Sequence, residues 1–300
     1  MANFDASAAV TMVWQRQSVW SQAAVAEKRR VVRARRTVAG LTIAAAVAGS
    51  LATQLGEPHR TAGRALAILA AAALLLVPVA ARWTSRDTVH AWTRLRSVSE
   101  ALKADVHRYL AGVAPFAGAD RDRVLLRRAD TLLDDSGDLV GRTVGLAPVA
   151  RPLPDIQDVA SYLTARVRGQ VTGYYTPMAR RMARLAARVR WAATAVTVAS
   201  ALLAATVGVL GDGLGLTAWL GVAATVTTAL VGYGAAQQYE AQQIEFARTA
   251  DQLTRLCVTR ETGHGWTDDD AFVAEAERII SLSNEGWMAK MIEEDGTAQQ

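Results

Sequence analysis

Residues Ala192–Leu210, AATAVTVASALLAATVGVL, and Leu214–Ala236, LGLTAWLGVAATVTTALVGYGAA, decide the fold. Neither run holds a charged side chain, and only Gly211-Asp212-Gly213 stands between them. Upstream, Val38–Leu55 and Ala65–Ala81 repeat the pattern around the turn Gly56-Glu57-Pro58-His59-Arg60. At about 1.5 Å rise per residue, such runs reach roughly 25 to 35 Å, enough to cross the hydrocarbon core of a bilayer. Turns this short with glycine in them return the chain antiparallel. The expected fold is therefore all-α: a polytopic membrane protein with four transmembrane helices arranged as two antiparallel hairpins. The first pair is short and Ala-rich, a composition that also suits two buried core helices of a soluble protein. Gly211, Gly213 and Gly215 do not read as a phosphate loop, because no strand precedes them and hydrophobic helices lie on both sides.

Outside the spans the chain reads as helix. Trp92, Leu95, Ser99, Leu102, Val106 and Tyr109 recur at steps of three and four, and Tyr239, Phe246 and Leu253 recur at seven, with Gln243, Ala250 and Cys257 between them. Both hairpins are thus expected to continue into coiled-coil-like stalks whose apolar faces call for further subunits. Gly and Pro between Gly141 and Pro154 mark a linker, and Ile156, Val159, Leu163, Val167, Val171 and Tyr174 then restart a stripe in which Pro177 is expected to make a kink. Thr267 with Asp268, Asp269 and Asp270 reads as a helix start rather than a cation site, ahead of Phe272, Ala276, Ile279, Ser283 and Trp287 on one face. The expected organisation is a basic N-terminal helix over 1–36, a first hairpin over 37–81, a helical domain over 82–190, a second hairpin over 191–236 and C-terminal helices over 237–300. The two halves look like a faint parallel duplication, with Ser99-Glu100-Ala101-Leu102 answering Ala250-Asp251-Gln252-Leu253.

Charge gives the orientation. The chain is 51% hydrophobic with a net charge of +5, and the positive charges crowd the span ends, which fits an anionic lipid surface and not nucleic acid. Lys28, Arg29, Arg30, Arg33, Arg35 and Arg36 precede the first span; Arg82, Arg86, Arg94 and Arg96 follow the second. Arg180, Arg181, Arg184, Arg188 and Arg190 precede the third, while the turns carry only Arg60 and Arg64. The positive-inside rule places both termini and the middle domain in the cytoplasm, at the plasma membrane. Arg35-Arg36 before an apolar run also resembles a twin-arginine signal, but 34 residues stand before the pair and a second hairpin follows. The single cysteine, Cys257, excludes an intrachain disulfide and fits a cytoplasmic setting.

Catalytic chemistry is not expected. His59, His90, His107 and His264 lack ligand spacing to one another or to carboxylates, and no nucleophile elbow, phosphate loop or zinc-protease motif occurs. The chain therefore reads as a non-enzyme without metal or cofactor. Spans without charge carry no mark of a proton relay. What they do carry is small and hydroxylated residues on one face: Thr217, Gly221, Thr225, Thr228 and Gly232 on the fourth span, with Thr42, Ala46, Gly49 and Thr53 on the first. Such a face suits close helix packing, or the lining of a narrow pore.

Several motifs resemble the bacterial DUF4231 proteins of the SLATT group of two-span domains (SMODS- and SLOG-associating). Trp14-Gln15-Arg16-Gln17-Ser18-Val19-Trp20-Ser21 precedes the first hairpin; Ser97-Val98-Ser99-Glu100-Ala101-Leu102-Lys103 and Tyr109-Leu110-Ala111-Gly112-Val113-Ala114-Pro115-Phe116 follow it. The likeness continues through Gln170 with Tyr174-Tyr175, Phe246-Ala247-Arg248-Thr249-Ala250 with Leu253, and Asn284-Glu285-Gly286-Trp287-Met288-Ala289-Lys290-Met291. The resemblance covers nearly the whole chain and singles out Trp14, Gln17, Trp20, Ser99, Glu100, Asn284, Glu285 and Trp287. It implies a membrane effector of bacterial conflict systems, an oligomer that opens a pore on a nucleotide-type signal. The chain shows no recognisable signal-generating or signal-binding domain of its own, so either a separately encoded nucleotide-signalling protein supplies the trigger or the cytoplasmic helical domain binds it; the lipid bilayer and further copies of the chain are the other expected partners. The alternative is a membrane-anchored helical scaffold or sensor without conductance.

Overall fold

The structure, a computed structural model, describes residues 7–55, 59–211, 215–263, 265–266 and 268–282. Among these, every regular element is helical: α1 (Ala8–Gln54), α2 (Arg60–Ala81), α3 (Arg86–Ala111), α4 (Arg121–Asp134), α5 (Val159–Leu210), α6 (Thr217–Gln237), α7 (Tyr239–Glu261) and α8 (269–282). Four of the helical runs are long and apolar enough to cross a membrane. The chain divides into two units. One gathers Met1–Lys28, Arg86–Arg180 and Ala241–Gln300, the other Arg29–Ser85 and Arg181–Glu240. The division falls inside α1, α5 and α7, so single helices supply both units.

The second unit contains the spans. Its turn-linked pairs are α1 with α2 and α5 with α6, and α1 also runs against α6. At one end Arg35 donates to the Ala236 carbonyl and Arg36 Nε lies 3.4 Å from the Tyr233 hydroxyl. At the other, Ser50 Oγ donates to the Ala218 carbonyl at 3.3 Å and Gln54 Nε2 to the Gly215 carbonyl at 2.9 Å. Residue numbers fall on α6 as they rise on α1, so the first and fourth spans are antiparallel neighbours. Glycine permits two of the close approaches. A Cβ on Gly63 would meet the Ala52 carbonyl oxygen at 3.2 Å, and one on Gly234 would meet Val189 Cγ1 at 2.9 Å. The outer surfaces are apolar: Leu75 is 73% exposed, Leu202 65% and Val209 82%. In water such helices would not stay apart; in lipid they need no cover. Trp83 and Trp191, both exposed, stand beside Arg82 and Arg190, the pairing of aromatic and basic side chains that marks a headgroup level.

The first unit is a helical bundle with a closed core. On α3 the stripe Trp92, Leu95, Ser99, Leu102, Val106 and Tyr109 is fully buried, as are Leu125, Ala129 and Leu133 on α4 and Phe272, Val273 and Ala276 on α8. This corrects the expectation of open stalks. The α3 stripe and Phe246, Leu253 and Cys257 of α7 are buried inside one chain, while Tyr239, Gln243 and Ala250 of α7 are half-buried. The linker 141–154 is likewise strapped to α1: Gln22 Nε2 donates to the Ala147 carbonyl at 2.8 Å, and the Val149 N–H donates to Ser18 Oγ at 3.0 Å.

Helix α5 starts with a capping box. The Ser161 N–H donates to Asp158 Oδ1 at 2.7 Å, and the Asp158 N–H donates to Ser161 Oγ at 3.0 Å. Two π-helical stretches follow, Leu163–Arg168 and Val171–Tyr175. The irregularity expected at Pro177 thus lies just ahead of it. Proline has no N–H for the Gly173 carbonyl and its ring crowds that turn, and widened π turns relieve both. Helix α8 is capped by Asp268, whose carboxylate accepts from the Asp270 N–H at 3.2 Å and the Ala271 N–H at 3.1 Å; Thr267 lies outside the described residues.

Candidate functional site

The motif residues of the two halves meet inside the first unit. Gln17 Nε2 on α1 donates to Ser99 Oγ on α3 at 3.0 Å, a buried bond, and Gln17 Oε1 accepts from Arg151 Nη2 at 3.1 Å. The Arg151 guanidinium lies 5.3 Å from the Trp14 ring centre, and Trp14 stands edge-on to His107 at 6.1 Å. Trp20 is buried. Glu100 is held by Arg96 at 2.8 Å and Lys103 at 3.8 Å. Burial works to raise the Glu100 pKa, but these two cations outweigh it and the net shift is downward. Burial pushes Lys103 down to about 8 against the pull of Glu100. Tyr174 and Tyr175, in the second π stretch, pack on Phe246 of α7 at 5.8 and 6.3 Å between ring centres. Asn284, Glu285 and Trp287 lie outside the described residues.

These contacts surround an ionic centre. Arg166, in the first π stretch of α5, donates Nε to Glu277 Oε1 at 3.0 Å and Nη2 to Glu277 Oε2 at 2.9 Å. The Tyr162 hydroxyl adds a third bond to Glu277 Oε1 at 3.0 Å. Both charged side chains are closed off, at 1% and 3% exposure. Burial alone would raise the Glu277 carboxyl, but the guanidinium and the Tyr162 hydrogen bond hold it far below the carboxylate range. Burial, reinforced by Arg166, pushes the His107 imidazole down to about 3, so it stands neutral; its Nδ1 lies 2.6 Å from the Lys103 carbonyl. None of these four residues stood out in the sequence as a site. The available signal was a charge of opposite sign on each of two apolar stripes: Glu277 among Val273, Ala276 and Ile280, and Arg166 beside Val167 and four residues after Tyr162.

Among the described residues the hydroxyl face of α6 is largely open. Thr217, Gly221, Thr228 and Gly232 are exposed and Thr225 is half-buried; a Cβ on Gly221 or Gly232 would meet nothing within 4 Å. Thr225, Thr228 and Gly232 line one wall of a cleft of about 520 Å³ whose other wall is Arg35, Val38 and Thr42 of α1. Thr225 and Thr42 each donate to the carbonyl four residues back, both at 2.9 Å. Their donors are thereby used within their own helices.

Apolar helices exposed along their length, joined to a helical unit with a closed polar core, define the class: an α-helical membrane protein with four span-capable helices. Residues 18–123 match the family model of DUF4231, a protein of unknown function, and residues 162–287 match SLATT_1, SMODS and SLOG-associating 2TM effector domain 1. Both matches agree with the DUF4231 and SLATT resemblance, and one pair of spans lies in each matched region. No curated protein and no solved structure matches the chain.

Proposed function

We propose that this chain is an oligomeric membrane effector that forms a regulated pore in a bacterial, nucleotide-dependent conflict system, with both termini and the helical unit on the cytoplasmic side of the cell membrane. It acts without catalysis. The observation that carries the reading is the small and hydroxylated face of α6, on which Gly221, Thr228 and Gly232 are exposed. Small and hydroxylated faces of this kind bring helices of neighbouring copies together or line an aqueous path between them. The description of SLATT_1 as an effector domain associated with SMODS and SLOG supports the conflict-system context. A separately encoded nucleotide-signalling partner supplies the trigger. Control passes through α5, a continuous helix that bears both Arg166 and the third span.

A second reading, a membrane-anchored scaffold without conductance, is favoured by the hydroxyls themselves. Thr225 and Thr227 spend their donors on the Gly221 and Ala223 carbonyls, both at 2.9 Å, as they would in a packing face. Ion flux from proteoliposomes, together with oligomer mass, separates the two. The pore reading expects the wild-type protein to release entrapped ions, and expects Thr225→Leu/Thr228→Leu to keep its mass while flux falls at least about tenfold through a dewetted constriction. A fully inserted wild-type oligomer that never conducts, with or without a nucleotidyltransferase partner and its product, contradicts it.

A further inference from the structure

The cleft between α1 and α6 has the dimensions and charge of a lipid site. Along α6 it runs from Ala224 to Ala236, about 18 Å at helical rise. That is close to half the roughly 30 Å hydrocarbon core, the depth of one leaflet. Its volume of about 520 Å³ falls within the roughly 300–1,000 Å³ typical of small-ligand sites. The walls are Val38, Ala39, Ala224 and Ala229, with the threonines Thr42 and Thr225 turned to their own carbonyls, so the floor offers hydrocarbon and no unmet donor of theirs.

The mouth differs from the floor. Arg35 lines it, and Arg36 reaches the Tyr233 hydroxyl that lines the same end. Arg29, Arg30 and Arg33 stand up to two turns earlier on α1, and Arg181, Arg184, Arg188 and Arg190 lie on α5, the last paired with Glu240, while residues 29–38 contain no carboxylate. A cationic mouth on an apolar slot one leaflet deep complements an anionic head on an acyl chain. We propose that this cleft binds one anionic phospholipid, its phosphate at Arg35 and Arg36 and one acyl chain along Val38, Thr42, Thr225 and Thr228. The basic collar gives the leaflet. A lipid held here covers Thr225, Thr228 and Gly232, which leaves the Gly221 end of the α6 face, or another face of the spans, for the contacts between copies on which the proposed function rests.

Native mass spectrometry of the detergent-solubilised full chain, titrated with palmitoyl-oleoyl phosphatidylglycerol or phosphatidylcholine, tests this. One phosphatidylglycerol should bind about tenfold tighter than phosphatidylcholine. Arg35→Gln/Arg36→Gln should abolish the preference, whereas Arg29→Gln/Arg30→Gln, off the cleft, should retain it. Gly232→Leu, which fills the slot, should weaken phosphatidylglycerol binding about tenfold; should it fail to fold, Thr42→Leu on the opposite wall replaces it. Equal binding of the two lipids overturns the proposal. So does equal loss in the two arginine variants, which would mean a diffuse collar, or full binding in the slot-filled variant. A lipid-free dimer that excludes phosphatidylglycerol would give the cleft to a second copy and overturns it as well.

Discussion

Glu277 and Arg166 sit in a setting where removal of one partner leaves an uncompensated buried charge. Glu277→Gln should therefore cost about 3–5 kcal/mol of unfolding free energy. Replacing both, as Arg166→Met/Glu277→Leu, should recover most of that loss, since a well-packed apolar pair has no desolvation to offset. Chemical denaturation of the solubilised protein measures both; a single variant within about 0.5 kcal/mol of wild type would show that the pair is not closed off. His107 adds a pH dependence. Its folded pKa, about 3, lies below the ordinary value of 6.5, so as pH falls the unfolded chain takes up the proton first. The stability this contributes is fully present above about pH 6.5 and is lost as pH falls toward 3, by up to about 1.4 kcal/mol per pH unit. Glu277 adds to the loss only below its ordinary carboxylate range. His107→Gln should flatten the profile between about pH 6.5 and 4.5, and an unchanged profile would place the proton elsewhere. At this scale the sequence was half legible. Trp14, Gln17, Trp20, Ser99 and Glu100 came from motif likeness, and of these Gln17 bonds Ser99, but the buried Arg166–Glu277 pair was hidden, because pairing across α5 and α8 spans 111 positions of chain.

Among the elements, the apolar spans were the most legible, since a run without charge for the width of a bilayer has few other readings. Their neighbours were less so: the turn lengths show that α1 meets α2 and α5 meets α6, but the antiparallel contact of α1 with α6 is made by single side chains, Arg35, Ser50 and Gln54, on backbone carbonyls and by Arg36 on Tyr233, which leave no pairing signal in the sequence. The π stretches of α5 were announced only by Pro177. The stripe of α3 was read correctly as an apolar face and is covered within its own chain, which the sequence did not show, because a sequence shows what must be covered and not by what. Glycine distinguishes a packed span face from an open one. Gly234→Ala places a methyl 2.9 Å from Val189 Cγ1 and should destabilise by about 1–3 kcal/mol through overpacking, whereas Gly232→Ala, with open space around it, should be neutral or slightly stabilising by helix propensity. Thermal unfolding of the two variants side by side checks this. Equal midpoints would mean that α5 and α6 are not held at that distance.

In the whole molecule, three segments far apart in sequence form one helical unit and two others form the span-bearing unit, so that α1 and α5 each serve both. The basic residues at the span ends, about fifteen on one side against two on the other, are what supports the proposal that the helical unit faces the cytoplasm. The most direct measurement is cysteine accessibility in intact cells, on a Cys257→Ser background with single cysteines at His59 or Asp212 in the turns, or at Val144, which is 76% exposed in the helical unit. A membrane-impermeant maleimide should label the two turn positions from outside, and should reach Val144→Cys only after the cells are opened. Labelling of Val144→Cys in intact cells, or protection of either turn, would contradict the four-span arrangement.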